Sequence, residues 1–390
     1  MRDDARIQAA ILILEGILNR GEAADRALQA WGRSNRFAGS KDRRVIADHV
    51  YAALRSAACG DPRRAMIDAL RQQNIGIPAI EALFSGERHA PVALSEDERT
   101  LLHDDTSATT WLDVSLRRRF GDATASEIRA LSERAPLDLR VNALKAMPER
   151  AMDLLAEDGV VAEPVAGAPS ALRVVAGSAD VESSAAYEAG LVEIQDAGSQ
   201  MVCALAGVRP GMAVLDLCTG AGGKALAFAA AMANRGRVVA ADIAPVRLKR
   251  LAPRARRAGA TIIEPHVLAP DWLDGPPPFD GLFDRVVIDA PCSGSGTWRR
   301  NPETRLRLTP ARLAELAALQ RRLLEAAAPQ VKPGGRLLFI TCSVLPEEGE
   351  DVAAAFAAAH PGFVRGPGLA LSPASSGTDG FFAAAFDRTA

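Results

Sequence analysis

Apolar positions recurring every three to four residues open the chain. Ile7, Ile11, Leu14 and Leu18 keep the helical period. Val45, Ile46, His49, Val50, Ala53 and Leu54 form one apolar side of a second helix over 43–55. Ser95, three residues before Glu98, has the pattern of a capping box and predicts a helix start. Strand signal is scarce up to about residue 130, so 1–130 reads as an all-α domain. From 131 to 187 the pattern is mixed. Residues 138–142 and 172–175 are short strand candidates, 148–158 an exposed helix, and the Gly, Ala and Pro of 164–170 a loop. This is a small α+β connector. From 188 to 390, short continuous apolar runs alternate with helical stretches. The pattern predicts strands at 214–218, 238–242, 261–263, 285–289, 336–341 and 381–386. Helices are predicted at 224–233, 245–258, 310–328 and 347–360. Such alternation predicts a mostly parallel sheet covered by helices on both faces.

Composition narrows the class. A chain of 390 residues exceeds one ordinary core, which supports the division into several domains. No apolar run approaches the roughly 18 residues needed to span a bilayer, so no membrane partner is expected. The start carries acids and a helical period without a small-residue cleavage site, so no secretory leader is expected. The five cysteines, Cys59, Cys203, Cys218, Cys292 and Cys342, are few and far apart. That argues against a disulfide framework and fits a reducing cytoplasm. No metal-ligand spacing occurs, and no heptads suggest an oligomer, so a monomer is expected. The net charge of -2 excludes a uniformly basic nucleic-acid binder. Lysines are rare, which makes Lys224 worth inspecting.

The segment DLCTGAGGK (216–224) joins the first strand of the α/β domain to its helix. Glycines there let backbone approach a ligand at a helix N-terminus. Asp242 ends the next strand, where a doubly wound sheet reaches a ribose. A Walker A motif fails, because Ala225 follows Lys224 and Cys218 stands at the place of its first glycine. A dinucleotide fingerprint is matched only in part. S-adenosylmethionine fits as well, with its carboxylate near the glycine loop and its ribose on Asp242.

Two further strand ends carry chemistry. DRVVIDAPCSGSG (284–296) and LLFITCSVLPEEGE (337–350) bring Cys292 and Cys342 to the mouth of one crevice. C5 of cytosine is a poor nucleophile. Thiolate addition to C6 makes C5 enamine-like, able to take a methyl group, after which a base must remove the C5 proton. This chemistry needs a thiolate, a base and a group such as Asp289 on the N3/N4 edge. Methyltransferases acting on exocyclic amines place an aromatic residue where Cys292 stands. Cys59 and Cys203 read as packing residues, and Cys218 as part of the cofactor loop.

The motifs resemble those of the Fmu/Sun family of RNA 5-methylcytosine methyltransferases. DLCTGAGGK resembles the family's D-x-C-A-A-P-G-G-K, DAPCSGSG its D-A-P-C-S-G-T-G, and TCSVLPEEGE its T-C-S-x-x-x-x-E-N-E. YEAGLVEIQDAGSQ (187–200), LRVN (139–142), RRNPET (299–304) and DGFFAAAF (379–386) resemble further family segments. SKDRRVIADHVYAALR (40–55) resembles part of a NusB-like RNA-binding domain found in the bacterial branch acting on 16S ribosomal RNA. The resemblance implies a Rossmann-like class I methyltransferase fold with seven strands. It implies Cys342 as nucleophile, Cys292 as the residue aiding release, and Asp289 and Lys224 beside the reacting groups. It implies S-adenosylmethionine held by Cys218, Thr219, Gly220, Ala221, Gly222, Gly223, Lys224, Asp242 and Asp289, to which Arg247 is added. Three departures stand out. Gly220 and Ala221 replace Ala-Pro, Gly349 replaces the Asn of E-N-E, and His266 or Val267 stands where the family has an acid facing the adenine.

Arg299, Arg300, Arg305, Arg307 and Arg312 cluster beside Trp298, a combination suited to unpaired RNA. Of these, Arg299, Arg300 and Arg305 are the expected RNA contacts. Arg33, Arg36, Lys41, Arg43 and Arg44 form a second basic patch. Three readings remain open: a ribosomal RNA methyltransferase, a transfer RNA methyltransferase, and an RNA-binding assembly factor with little or no activity.

Overall fold

The computed structural model describes every residue except 57–59, 74, 103–110, 178–180 and 277. Cys59 lies outside the described residues. The chain divides into two units. The first comprises Met1–Val114, Ile128–Arg134 and Thr297–Thr309, so residues 297–309 pack with the N-terminal helices. The second comprises Ser115–Glu127, Ala135–Gly296 and Pro310–Ala390.

The first unit is helical. The helices Asp3–Asn19, Ser40–Ser56 and Pro62–Gln72 bury Ile7, Ile11, Leu14, Ile46, Val50, Leu54, Met66 and Leu70 in one core. Their apolar positions recur every three to four residues because a helix presents one stripe inward. Asp61 caps Pro62–Gln72, and Ser95 with Glu98 forms the expected capping box on Glu96–Leu101.

The second unit holds two sheets. The smaller is built from β1 (Leu137–Val141), β2 (Val160–Val165), β3 (Ala168–Gly177) and β4 (Val192–Ile194), in the antiparallel order β2-β3-β1-β4. The helix Pro148–Glu157 packs on it through Ala151 and Leu155. The segment 164–170, expected as a loop, is instead most of a hairpin. Pro164 is tolerated because β2 is an edge strand, and Gly167 turns the chain with φ of 76°.

The larger sheet takes β5 (Ala213–Leu217), β6 (Arg237–Asp242), β7 (Ile263–Val267), β8 (Phe283–Asp289), β9 (Val331–Thr341), β10 (Phe363–Leu371) and β11 (Phe381–Arg388). Its order is β10-β11-β9-β8-β5-β6-β7, with only β11 running against the rest. This is the expected Rossmann-like sheet. β5 pairs with both β6 and β8, so the strand order reverses at β5 and opens a crevice at its carboxyl end. Leu215, Val286, Phe339 and Phe386 pack on one face, and Val214, Val287, Leu338 and Ile340 on the other.

Two elements differ from expectation. β7 starts only at Ile263 and runs on through Pro265, which an edge strand accepts. The helix expected over 245–258 breaks into Pro245–Leu248 and Leu251–Ala258, because Pro253 fits only within the first turn of a new helix. Among the described residues no helix is long and apolar enough to cross a membrane, and no cluster suited to a metal ion occurs.

Candidate active site

The loop after β5 follows from its backbone. Cys218, Gly220 and Gly222 have φ of 60°, 60° and 81°. A Cβ at Gly222 would lie 2.2 Å from Cδ1 of Leu251, so only glycine fits both the conformation and the space. The helix Gly223–Ala231 then starts at the crevice. The Gly220 N–H donates to Oδ2 of Asp242 at 2.8 Å, and the Ala244 N–H to its Oδ1 at 2.8 Å. The Asp242 carboxylate, 3% exposed, is thereby fixed between two loops. Arg247 lies on the exposed turn after it, with Nη1 at 4.0 Å.

Residues outside the motif brace this loop. Arg140 donates to the Gly223 carbonyl at 2.7 Å and to Gln195 at 2.5 Å. Arg254 donates to the Ala221 carbonyl at 2.8 Å and pairs with the buried Glu193, which also binds Arg257. The sequence patterns single out none of these as site residues. Their signal lies in the LRVN and EIQD segments, which resemble the family only as stretches.

Lys224 is 9% exposed, and its Nζ lies 2.5 Å from Oδ2 of Asp289. Burial would lower the ammonium pKa, but the Asp289 carboxylate outweighs it and holds Lys224 well above its usual value. Behind the pair, Asp216 is fully buried. Burial pushes its carboxyl up to about 7, against the pull of the Thr219 hydroxyl, which donates to Oδ2 at 2.6 Å.

Cys292 and Cys342 meet, Sγ to Sγ, at 3.4 Å. Each follows the end of its strand, and the strands β8 and β9 are adjacent. The Ala290 N–H donates to the Ile340 carbonyl, and the Gly296 N–H to the Cys342 carbonyl. A Cβ on Gly296 would lie 2.0 Å from the Gly380 carbonyl oxygen, so the glycine keeps the two turns close. The Cys292 thiol is pushed well above its ordinary value. The hydrogen bond to Cys342 is the first cause, followed by burial and by the charges of Cys342 and Glu348. Cys203 is buried among apolar neighbours and its thiol is raised to about 12, while burial also pushes the Cys218 thiol up. Of the four described cysteines, two are thus spaced for joint chemistry and two are not.

Gly349 replaces an asparagine for a visible reason: a Cβ there would lie 2.9 Å from the ring of Phe382. His266 lies in β7 with its ring 5.3 Å from that of Phe279, beside a cavity of about 480 Å³ that Asp271 and Trp272 also line. The arginine cluster departs from expectation. Arg299 is 6% exposed and Trp298 3%, both inside the first unit, where Arg305 covers the Trp298 ring at 5.6 Å. Arg307 donates to the carbonyls of Ile17 and Glu22. Arg299 and Trp298 therefore serve the interior and are not surface contacts for RNA, because their side chains have no open face.

Residues 203–387 match the family described as 16S rRNA methyltransferase RsmB/F, and residues 109–182 match the ferredoxin-like domain of RsmF/B-like methyltransferases. The ribosomal RNA small subunit methyltransferase B of Sodalis glossinidius is 34% identical over 321 residues, covering 78% of this chain and 72% of that protein. A probable ribosomal RNA small subunit methyltransferase B of Synechocystis is 35% identical over 257 residues, covering 65% of this chain but only 57% of that protein. Among solved structures, PH0851 superposes with a TM-score of 0.78 at 26% identity, covering 100% of this chain and 99% of that one.

Proposed function

Since the chain belongs to the 16S rRNA methyltransferase B/F family, we propose that it methylates C5 of a cytosine in RNA, with Cys342 as the covalent nucleophile. The substrate most in keeping with its relatives is 16S ribosomal RNA, met in the cytoplasm.

The observation that carries this reading is the 3.4 Å contact between Cys292 and Cys342 at adjacent strand ends. A pair of thiols so close shares its protons. Cys292, whose thiol is raised above its ordinary value, holds its proton within reach of the Cys342 sulfur. The Cys342 sulfur adds to C6 of a base turned out of its stack, and the electron pair moves to C5. After methyl transfer, C5 gives its proton to a base, the double bond re-forms and the C6–S bond breaks. The departing Cys342 thiolate is received by the Cys292 S–H, which is how Cys292 aids release. Asp289 faces the reacting ring with Lys224 as its counter-ion, and the pair balances charge as the N3 edge gains and loses electron density.

The residues after β5 suit S-adenosylmethionine. A helix N-terminus and the loop 218–223 suit its amino-acid end, while the Asp242 carboxylate at the end of β6 suits ribose hydroxyls. When bound, the cofactor supplies an electrophilic methyl group. Lys224, Asp242, Asp289 and the loop hold and orient it, with Arg247 at the exposed rim. In the first unit, Arg300 and Arg305 remain as RNA contacts. There too Arg33, Arg36, Lys41, Arg43 and Arg44 are exposed and lie within seven residues of Phe37, which is 72% exposed. A basic surface with an open aromatic ring suits RNA docking, in keeping with a NusB-like role.

The test is a denaturing gel of protein incubated with RNA and S-adenosylmethionine. Cys292→Ala accumulates a covalent RNA adduct, and Cys342→Ala forms none; the opposite pattern exchanges their roles. Calorimetry with S-adenosylmethionine separates an enzyme from an assembly factor, which would show no binding. Bisulfite sequencing of ribosomal and transfer RNA from a deletion strain identifies the substrate.

A further inference from the structure

Behind the two cysteines lies a buried polar cluster that the reaction scheme above does not use. Glu348, with no exposed surface, sits in the short helical turn Pro346–Glu348 after the Cys342 strand. Its Oε1 accepts from the Ser293 N–H at 2.8 Å and from the Gln320 side-chain amide at 3.2 Å. Its Oε2 accepts from the Ser343 hydroxyl at 2.7 Å and from the Ser293 hydroxyl. Ser293 and Ser343 are the residues that directly follow Cys292 and Cys342. The same Gln320 amide donates to the Pro291 carbonyl at 2.9 Å, so the residues on both sides of Cys292 are tied to the linked Gln320–Glu348 pair. Ser295 completes the cluster, lying 2.8 Å from the Ser343 hydroxyl and accepting from the Val344 N–H at 2.9 Å.

A carboxylate fully removed from water is costly unless donors surround it. Here the donors come from both cysteine turns. The two turns are consequently fixed to each other by their polar backs, while their sulfurs meet at 3.4 Å. Resting on the proposed function above, we propose that Glu348 is a positioning residue. It clamps Ser293 to Ser343 so that Cys292 stays within reach of Cys342 when the adduct must be released. The clamp acts on the second half of the reaction. Cofactor and RNA binding use other residues, so they do not depend on it.

Removing the clamp therefore has a signature that ordinary destabilisation lacks. Glu348→Ala should imitate Cys292→Ala in part, with the methylated adduct persisting on Cys342 and turnover falling by about a hundredfold, the loss typical of a group displaced by about 1 Å. Affinity for S-adenosylmethionine, measured by calorimetry, and the KM for RNA should stay within about twofold. Glu348→Gln keeps an acceptor at Oε1 and lets the serine hydroxyls turn to accept from its amide, so it should restore most of the release rate. Ser293→Ala removes one hydroxyl and keeps the backbone donor. It serves where Glu348→Ala does not fold, and should slow release by about tenfold.

The experiment measures adduct formation and decay in single-turnover gels of the full chain, with melting curves for each variant. Persistent adduct in Glu348→Ala or Ser293→Ala, with recovery in Glu348→Gln, supports the clamp. Adduct decay at the wild-type rate overturns it, as does loss of turnover without adduct. If wild-type protein forms an adduct that Cys342→Ala still forms, the proposed nucleophile is wrong and the clamp falls with it.

Discussion

Asp216 offers a test of the site's electrostatics that needs no substrate. It is fully buried at the carboxyl end of β5, and its carboxyl is raised to about 7 from an ordinary 3.8. A carboxylate with a raised folded-state value opposes folding once it ionises. Below 3.8 both states are protonated and Asp216 costs nothing. Stability is then lost as the pH rises from about 4 to about 7, and above 7 the cost is constant. Linkage gives a cost of about 1.7 kcal/mol at pH 5 and about 4 kcal/mol at pH 8. Asp216→Asn removes this titration. The amide places its NH2 where Oδ1 now has no protein partner, at about 1–3 kcal/mol. That cost does not change with pH. The difference in stability between variant and wild type should therefore move by about 2–3 kcal/mol in favour of the variant between pH 5 and pH 8. Urea unfolding at the two pH values measures it, read on the transition of the second unit because a two-unit chain need not unfold in one step. A change below about 0.5 kcal/mol would refute a raised Asp216 carboxyl at the base of the loop.

Other substitutions probe the neighbouring parts. Gly222→Ala places a side chain at φ of 81° against Leu251, and should cost about 2–4 kcal/mol and weaken S-adenosylmethionine binding in calorimetry. Lys224→Met leaves Asp289 unpaired, with a stability loss of about 1–3 kcal/mol, reduced because Asp289 is 30% exposed. Since the Lys224 value is raised, this contribution is complete below 10.5 and fades only at still higher pH, so denaturant midpoints at about pH 7 and 9 should show the same loss. Arg300→Ala should lower the slope of log affinity for RNA against log salt by about one, whereas the buried Arg299→Ala should lower stability and leave that slope alone.

What the sequence disclosed and what it hid follow from where each element lies. β5, β6, β8, β9 and β11 are flanked by strands on both sides, and each is an apolar run because helices cover both faces. Their pattern is legible, and with it the two cysteines and Asp242, which sit at their ends. The strands misplaced or unseen are β2, β4, β7 and β10, and all four are sheet edges. An edge needs only one hydrogen-bonded side, so Pro164 in β2, Pro265 in β7 and the Gly-Pro-Gly of 366–368 in β10 are tolerated there, and the inner β9 carries Pro333 only within 332–335, where its pairing with β8 is interrupted. The same logic applies to the site. Residues that face the crevice carry motifs whose chemistry can be argued from spacing. Residues that hold those motifs from behind, such as Arg140 and Glu193, are charged groups whose partners lie 55 and 61 positions away along the chain, and Glu348, though inside the TCSVLPEEGE stretch, joins Ser343 to Ser293, 55 positions away. A buried charge far from its partner has no local pattern, and its meaning depends on which donors the fold delivers to it. Arg299 is the converse case. Its neighbours in sequence are basic, which suggests a surface, but the chain turns it inward. Local charge patterning identifies a candidate surface only where the backbone also leaves the side chain in solvent.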